Sequence, residues 1–233
     1  MFKPLETLFL LVAAIEVMGE LTGNNLIRFI AKPLLMITLI GFYIQAVAGK
    51  WNKVHKLMVA AFFFSWIGDV ALMFVFKNEN FFLLGLVGFL MAHILYAVAF
   101  SNVTDINTEP LLPKKFLTII PLLIYMVVLL ALLLPSLYGN EHTKPILIPV
   151  IIYTVAISTM VVFSINRYKR VNKQSFIFVL SGALLFMFSD SIIAINKFLS
   201  PFFSASIYIM ILYILGQYFI AKGVLSQFSK TKL

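Results

Sequence analysis

Eight apolar runs, each about long enough to cross a bilayer, constrain this chain more than any other feature of its sequence. A membrane-spanning helix needs roughly 20 mostly apolar residues, and the segments between the runs are too short to form a soluble domain. We therefore predict an all-α, polytopic integral membrane protein whose single transmembrane domain comprises residues 1–233. The predicted spans lie at about residues 5–21, 30–48, 57–76, 81–100, 115–135, 145–165, 175–195 and 202–222.

Composition agrees with the membrane class. The chain is 62% hydrophobic and 12% charged, with a mean hydropathy of +1.02, whereas a soluble domain carries about 25% charged residues. The net charge of +9 does not indicate nucleic acid as a partner, because the basic residues lie at helix ends rather than in one soluble patch. The absence of cysteine excludes disulfides, thiolate metal sites and a cysteine nucleophile. The expected partner is the lipid bilayer.

The distribution of basic residues predicts the orientation of the chain. Thirteen of the 18 lysines and arginines fall at the two termini and in alternate loops, on one side of the predicted spans. The positive-inside rule therefore places both termini in the cytoplasm. Lys3 followed by an apolar run resembles a signal peptide, but Glu6 and the lack of a small-x-small cleavage site favour a first spanning helix. In a bacterial host, the multi-pass protein would occupy the inner cell membrane.

Two aspartates, Asp69 and Asp190, stand isolated within predicted spans. A carboxylate at the centre of the bilayer costs roughly 2.5–3.5 kcal/mol even on insertion scales, so each must face protein or trapped water. A structural role, with the carboxylate bonded to serine, tyrosine or backbone, is one interpretation. The functional interpretation is stronger because intramembrane carboxylates commonly mark sites. Two neighbouring carboxylates can share one proton, which supplies both an acid and a base.

A faint repeat relates the two halves of the chain. The three pairs of landmarks are Lys32-Pro33 with Lys144-Pro145, which open the second and sixth spans, Gly68-Asp69 with Ser189-Asp190, and the segments ending in Tyr96 and Tyr213. A shift of four spans preserves orientation, so a 4+4 parallel repeat is predicted. Short apolar matches also arise by chance. If the repeat is real, Asp69 and Asp190 are equivalent positions facing a shared centre.

Other polar side chains in the spans are candidates for positioning a substrate or for structural hydrogen bonds. His93 and Tyr96 share one face of the fourth span, and Tyr213 and Gln217 share one face of the last. Small residues at Gly85, Gly88 and Ala92 would let a neighbouring helix approach the fourth span closely.

A charged group near the start of the second span is a candidate headgroup site. Lys32 is preceded by Arg28, with Glu16 and Glu20 on the first span. The cations suit a phosphate and the carboxylates suit a headgroup amine, whereas the alternative for Lys32 is an anchor at the membrane interface. Of the three histidines only His93 lies within a span, so no three-histidine zinc site is expected. There is no G-x-S-x-G elbow, P-loop or dinucleotide fingerprint, and no metal or cofactor is expected.

The ordered set of motifs resembles the YhhN-like family of lysoplasmalogenases, which are eight-span membrane proteins. The resemblance covers nearly the whole chain, and the fourth span and the Ser-Asp segment are its most specific parts. It comprises Lys32-Pro33, then Gly68 to Leu72, then Phe82, Gly85, Phe89, His93, Tyr96 and Phe100, then Gly182 to Phe186 with Ser189-Asp190-Ser191, and finally Tyr213 with Gln217.

The resemblance implies hydrolysis of the vinyl ether bond of a lysophospholipid, a lysoplasmalogen, to a fatty aldehyde and a glycerophospho-ethanolamine or -choline. On this hypothesis Asp69 and Asp190 are the catalytic pair, with the acid and base roles unassigned. Substrate-binding or orienting roles are expected for His93, Tyr96, Lys32, Tyr213, Gln217, Ser189 and Glu16. His93 and Tyr96 would orient water or a carboxylate, and Lys32 would hold the phosphate.

Three other functions remain open at this point. A proton-coupled carrier of a small solute would use the same carboxylates, and transport into proteoliposomes would distinguish it from an enzyme. An aspartyl intramembrane protease is disfavoured because Trp66 stands where its Gly-x-Gly-Asp motif requires glycine. A purely structural membrane subunit is the third. The sequence makes no prediction of oligomeric state.

Overall fold

The computed structural model describes residues 4–103, 108–109, 111, 116–139, 141 and 143–228. Within these ranges the chain forms eight α-helices and no strands, which confirms the all-α prediction. The helices are α1 (Pro4–Thr22), α2 (Asn25–Val47), α3 (Lys53–Met73), α4 (Asn80–Ser101), α5 (Ile120–Tyr138), α6 (Leu147–Ile165), α7 (Lys173–Phe198) and α8 (Ala205–Gln227). Lys3, Lys114, Lys115, Lys230 and Lys232, which contribute to the orientation count, lie outside the described residues.

Seven of the described helices, α2 to α8, are long and apolar enough to cross a membrane. For α5 and α6 the apolar segment includes a preceding 3₁₀ turn, so these spans are Phe116–Tyr138 and Lys144–Ile165. The chain is therefore an integral, multi-pass membrane protein. Helix α1 is not among the seven and contains three glutamates. Its crossing of the membrane and the cytoplasmic placement of both termini stay predictions.

Three helices begin at asparagine caps that lie a few residues before the apolar runs. The side-chain oxygen of Asn24 accepts hydrogen bonds from the backbone amides of Leu26 and Ile27, so α2 begins five residues before the predicted span. Asn52 and Asn172 cap α3 and α7 in the same way. An asparagine cap satisfies amide groups that a helix leaves unpaired at its start.

The prediction that Lys32-Pro33 opens the second span is wrong. Pro33 lies inside α2, eight residues after the helix begins at Asn25. Lys144-Pro145 does open its span, because it forms the 3₁₀ turn before α6. The first pair of landmarks in the proposed repeat therefore occupies different positions in the two helices.

The chain divides into two compact units, Met1–Ala99 and Phe100–Leu233. In the first unit α1 and α2 form a tight hairpin, which turns at Gly23 with a φ of +65°. Helices α3 and α4 approach each other through glycines: a Cβ atom built at Gly88 would lie 2.9 Å from the backbone nitrogen of Gly68. The expectation of a single domain stays a prediction.

In the second unit α7 and α8 pack closely along much of their length. A Cβ atom at Gly182 would lie 2.7 Å from the carbonyl oxygen of Gly216, and one at Gly223 would lie 2.8 Å from the backbone nitrogen of Val179. At one end of this unit the fully buried Arg167 donates hydrogen bonds to Ser175 (2.7 Å) and Gln227 (2.9 Å). These contacts fix the α6–α7 turn against α8.

Candidate functional site

Asp69 lies in the interior of the first unit, in the last two turns of α3. Its side chain is 5% exposed, and Ser65, one turn earlier on the same face, is fully buried. Among the described residues Ser65 Oγ has no hydrogen-bond partner. The adjacent Gly68 packs against the ring of Phe89 and the backbone of Gly88 on α4. A carboxyl and a hydroxyl group therefore lie on one helix face beside a close contact of α3 with α4.

His93 and Tyr96 on α4 are both fully buried. The ring of Tyr96 packs edge-on against Phe62 of α3, with centroids 5.9 Å apart. Because Gly88 faces Gly68 while Tyr96 faces Phe62, the two helices run antiparallel. His93 is therefore nearly level with Ser65, roughly 7 Å along the helix axis from the level of Asp69.

Four charged side chains meet at the α1–α2 hairpin. Lys32 Nζ lies 3.7 Å from Glu16 Oε1 and 3.6 Å from Glu20 Oε1, and Arg28 Nε lies 2.9 Å from Glu20 Oε1. Glu16 and Glu20 are buried, while the side chain of Lys32 is 17% exposed. The two acids and two bases form a cluster that is neutral overall when all four groups are ionised.

Asp190 lies on α7 in the second unit and is half-buried. The hydroxyl of Tyr153 on α6 donates a hydrogen bond to Asp190 Oδ2. The next residue, Ser191, accepts a hydrogen bond from Tyr125 on α5 and donates one to the carbonyl of Met187 (2.8 Å). Tyrosines from two helices thus fix the segment of α7 that carries Asp190.

The remaining predicted residues of the second unit lie along α8 and its contact with α7. Ser189 Oγ donates to the carbonyl of Ile209 (3.0 Å), so its hydroxyl joins the two helices. The ring of Tyr213 packs against Phe186 with centroids 5.3 Å apart, and Gln217 is fully buried. The antiparallel pairing of Ser189 with Ile209 places Tyr213 roughly 7 Å and Gln217 roughly 13 Å along the axis from the level of Asp190.

Sequence reasoning missed three side chains of these groups: Ser65, Tyr125 and Tyr153. A signal for Ser65 was present, since it stands four residues before Asp69 on one helix face. The two tyrosines carry no such signal, because each meets α7 from a helix distant in sequence. Asp69 and Asp190 belong to different units, and their pairing stays a prediction.

The apolar helices with buried polar side chains in each unit define a multi-pass membrane protein of the kind that carries intramembrane polar sites. The YhhN family profile matches residues 27–224, so the chain belongs to the YhhN family. This family includes lysoplasmalogenases and suggests a hydrolase-type role. No curated protein and no solved structure gave a significant match to the chain.

Proposed function

We propose that this protein hydrolyses the vinyl ether bond of a lysoplasmalogen, using Asp69 and Asp190 as an acid–base pair. The observation that carries the proposal is that each unit places one aspartate on an apolar helix beside another polar group. Asp69 lies one turn from the buried Ser65, and Asp190 accepts the hydrogen bond of Tyr153. Membership of a family that includes lysoplasmalogenases supports the choice of reaction.

The chemistry needs one proton donor and one carboxylate. The acid transfers its proton to the β-carbon of the vinyl ether, which leaves an oxocarbenium ion centred on the α-carbon. The carboxylate stabilises this cation and takes a proton from the water that attacks the α-carbon. The hydroxyl of the resulting hemiacetal returns its proton to the aspartate that began as the acid, and the other aspartate gives the proton it took from water to the glycerol oxygen. The bond between the α-carbon and that oxygen breaks, which releases a fatty aldehyde and a glycerophospho-ethanolamine or -choline and restores both carboxyl groups. The charge development resembles that at glycosidase carboxylate pairs.

The surrounding side chains have supporting roles in this proposal. Tyr153 orients Asp190 through its hydroxyl. His93 and Tyr96, buried on α4, orient water or a carboxylate in the first unit. Tyr213 and the buried Gln217 form part of the wall of the lipid-binding site.

The test is release of fatty aldehyde from a lysoplasmalogen by the purified full-length protein in detergent, with and without chelator. Asp69→Asn and Asp190→Asn are each expected to lower kcat by a factor of about 10²–10⁴, as loss of general acid–base catalysis does. Activity is expected to survive the chelator. The control is Thr154→Val, which removes a hydroxyl that donates to the carbonyl of Val150 on its own helix and should retain activity. If both asparagine variants kept turnover within a few-fold of the wild type, the aspartate pair would be refuted.

A proton-coupled carrier is the second candidate. It is favoured by the division of the chain near the end of α4, which gives each unit four of the described helices, as a parallel-repeat transporter would have. On this alternative the aspartates bind and release protons during transport. Accumulation of a solute in proteoliposomes under a proton gradient, without aldehyde release in detergent, would support the carrier instead of the hydrolase.

A further inference from the structure

A groove of about 440 Å³ opens in the first unit beside the charged cluster of the α1–α2 hairpin. Its basic wall is formed by Arg28 and Lys32 on α2. Its apolar wall is formed by Leu72 and Met73 at the end of α3 and by Phe76 just beyond. Such a combination suits a molecule with a charged end and an apolar end.

Lys32 and Arg28 are paired with Glu16 and Glu20 by charge, with poor hydrogen-bond geometry. The distances of 3.6 and 3.7 Å from Lys32 Nζ to the two glutamates exceed the 2.7–3.2 Å of a hydrogen bond. Arg28 Nε is 2.9 Å from Glu20 Oε1, but the two groups lack hydrogen-bond alignment. Among the described residues, the four carboxylate oxygens of Glu16 and Glu20 are buried and make no hydrogen bond. The carboxylates do not line the groove, so the groups that can meet an ionic ligand there are Lys32 and Arg28, whose side chains are 17% and 34% exposed.

The groove lies one helical turn from Asp69. Leu72 and Met73 follow Asp69 by three and four residues, so they share its face of α3 and lie about 5–6 Å further along the axis. In a lysoplasmalogen the phosphorus and the vinyl ether oxygen are separated by five single bonds. At roughly 1.5 Å per bond, an extended chain of that length spans about 6 Å. A phosphate in the groove would place the vinyl ether at the level of Asp69.

We propose that this groove binds the zwitterionic headgroup of the lysophospholipid, with the phosphate on Lys32 and Arg28 and the headgroup cation balancing the charge of the cluster, whose two carboxylates lie buried behind those side chains. This inference rests on the proposed function, because it assigns a subsite of the same lipid. Lys32 and Arg28 supply the donors that a phosphate requires. When all four groups are ionised the cluster is neutral, so a phosphate alone would leave an uncompensated negative charge, whereas a zwitterion keeps the balance.

The experiment measures binding of saturated ether lipids, which cannot be hydrolysed at a vinyl ether bond, to the full-length protein in detergent. The probes share one alkyl chain and are 1-alkyl-glycerophosphoethanolamine, 1-alkyl-glycerophosphate and 1-alkylglycerol. The wild type should bind the phosphoethanolamine about tenfold or more tightly than either of the others. Lys32→Gln should abolish this preference and leave the Kd for 1-alkylglycerol unchanged.

Two further variants keep the test decisive. Lys32→Gln leaves buried carboxylates with only one cation, so the double variant Glu16→Gln/Lys32→Gln removes the pair together and should also lose the preference. Lys56→Gln, at an exposed lysine near the start of α3, is the matched control and should keep it. Equal wild-type affinity for the three lipids, or an unchanged preference in both folded Lys32 variants, would overturn the headgroup site.

These experiments test the headgroup site and the hydrolase activity independently. A Lys32-dependent preference without aldehyde release from any lysoplasmalogen would retain the headgroup site and reject the hydrolase. Aldehyde release, combined with a headgroup preference that the Lys32 variants do not change, would retain the hydrolase and reject the headgroup site.

Discussion

The hydrogen bond from Tyr153 to Asp190 makes the sharpest prediction about the second unit. Tyr153→Phe removes one hydroxyl from a half-buried ring and changes nothing else in the side chain. If Asp190 takes part in the reaction, loss of this donor leaves the carboxyl less well oriented. Because Tyr153 acts through Asp190 and not on the lipid, the effect should fall on kcat and leave KM nearly unchanged.

The expected size follows from the chemistry of the bond. A hydrogen bond to a charged group contributes about 1.5–3 kcal/mol, and each 1.36 kcal/mol of activation free energy is a tenfold change in rate. If the whole contribution is realised in the transition state, kcat for aldehyde release should fall by a factor of about 10–150.

Tyr125→Phe is the matched control for this variant. Tyr125 also reaches α7 from a neighbouring helix, but its hydroxyl bonds Ser191, the residue after Asp190. Both variants should lower the thermal stability of the purified protein to a similar extent, since each removes one hydrogen bond to α7. Only Tyr153→Phe should lower kcat by tenfold or more. Equal losses of kcat in the two variants, or none in Tyr153→Phe, would refute a positioning role for Tyr153.

Two further predictions concern the fold and its orientation. Gly182→Ala should destabilise the protein by about 1–3 kcal/mol relative to Gly41→Ala. At Gly182 the new methyl group meets the backbone of α8 at 2.7 Å, whereas at Gly41 it meets the end of the Leu5 side chain at 3.4 Å. Equal melting temperatures of the two variants in detergent would contradict this prediction. Since the chain lacks cysteine, single cysteines at Asn78 and Lys169 report orientation. An impermeant maleimide should label Asn78→Cys in intact cells and Lys169→Cys only after permeabilisation, and the reverse pattern would invert the predicted topology.

The positions of the helices could be predicted from the sequence, but several of their ends could not. An apolar run marks where a helix is buried in lipid, whereas the helix itself begins wherever its first amides find a partner. At Asn24, Asn52 and Asn172 that partner is an asparagine side chain outside the apolar run. The same effect explains Pro33: the cap at Asn24 starts α2 early enough to leave the proline inside the helix.

The candidate site was predictable to the extent that its residues are conspicuous on their own. Asp69 and Asp190 stand out because a carboxyl group in a membrane span is costly. Tyr153 and Tyr125 do not stand out, since tyrosine is common in membrane proteins and its role depends on which helix lies opposite. That information resides in the packing of α5 and α6 against α7, which short apolar repeats do not encode.

The glutamates of α1 show that the suitability of one helix for the membrane depends on the helix packed against it. Glu16 and Glu20 count against a membrane span when α1 is considered alone. In the hairpin both lie beside Lys32, and Glu20 also lies beside Arg28, so each buried carboxylate has a cation within 3.7 Å. Removing one partner of a buried ion pair costs roughly 3–5 kcal/mol, which ties the stability of α1 to that of α2. The two helices are therefore expected to enter the membrane as one hairpin, and the cluster that permits this is also the proposed headgroup site.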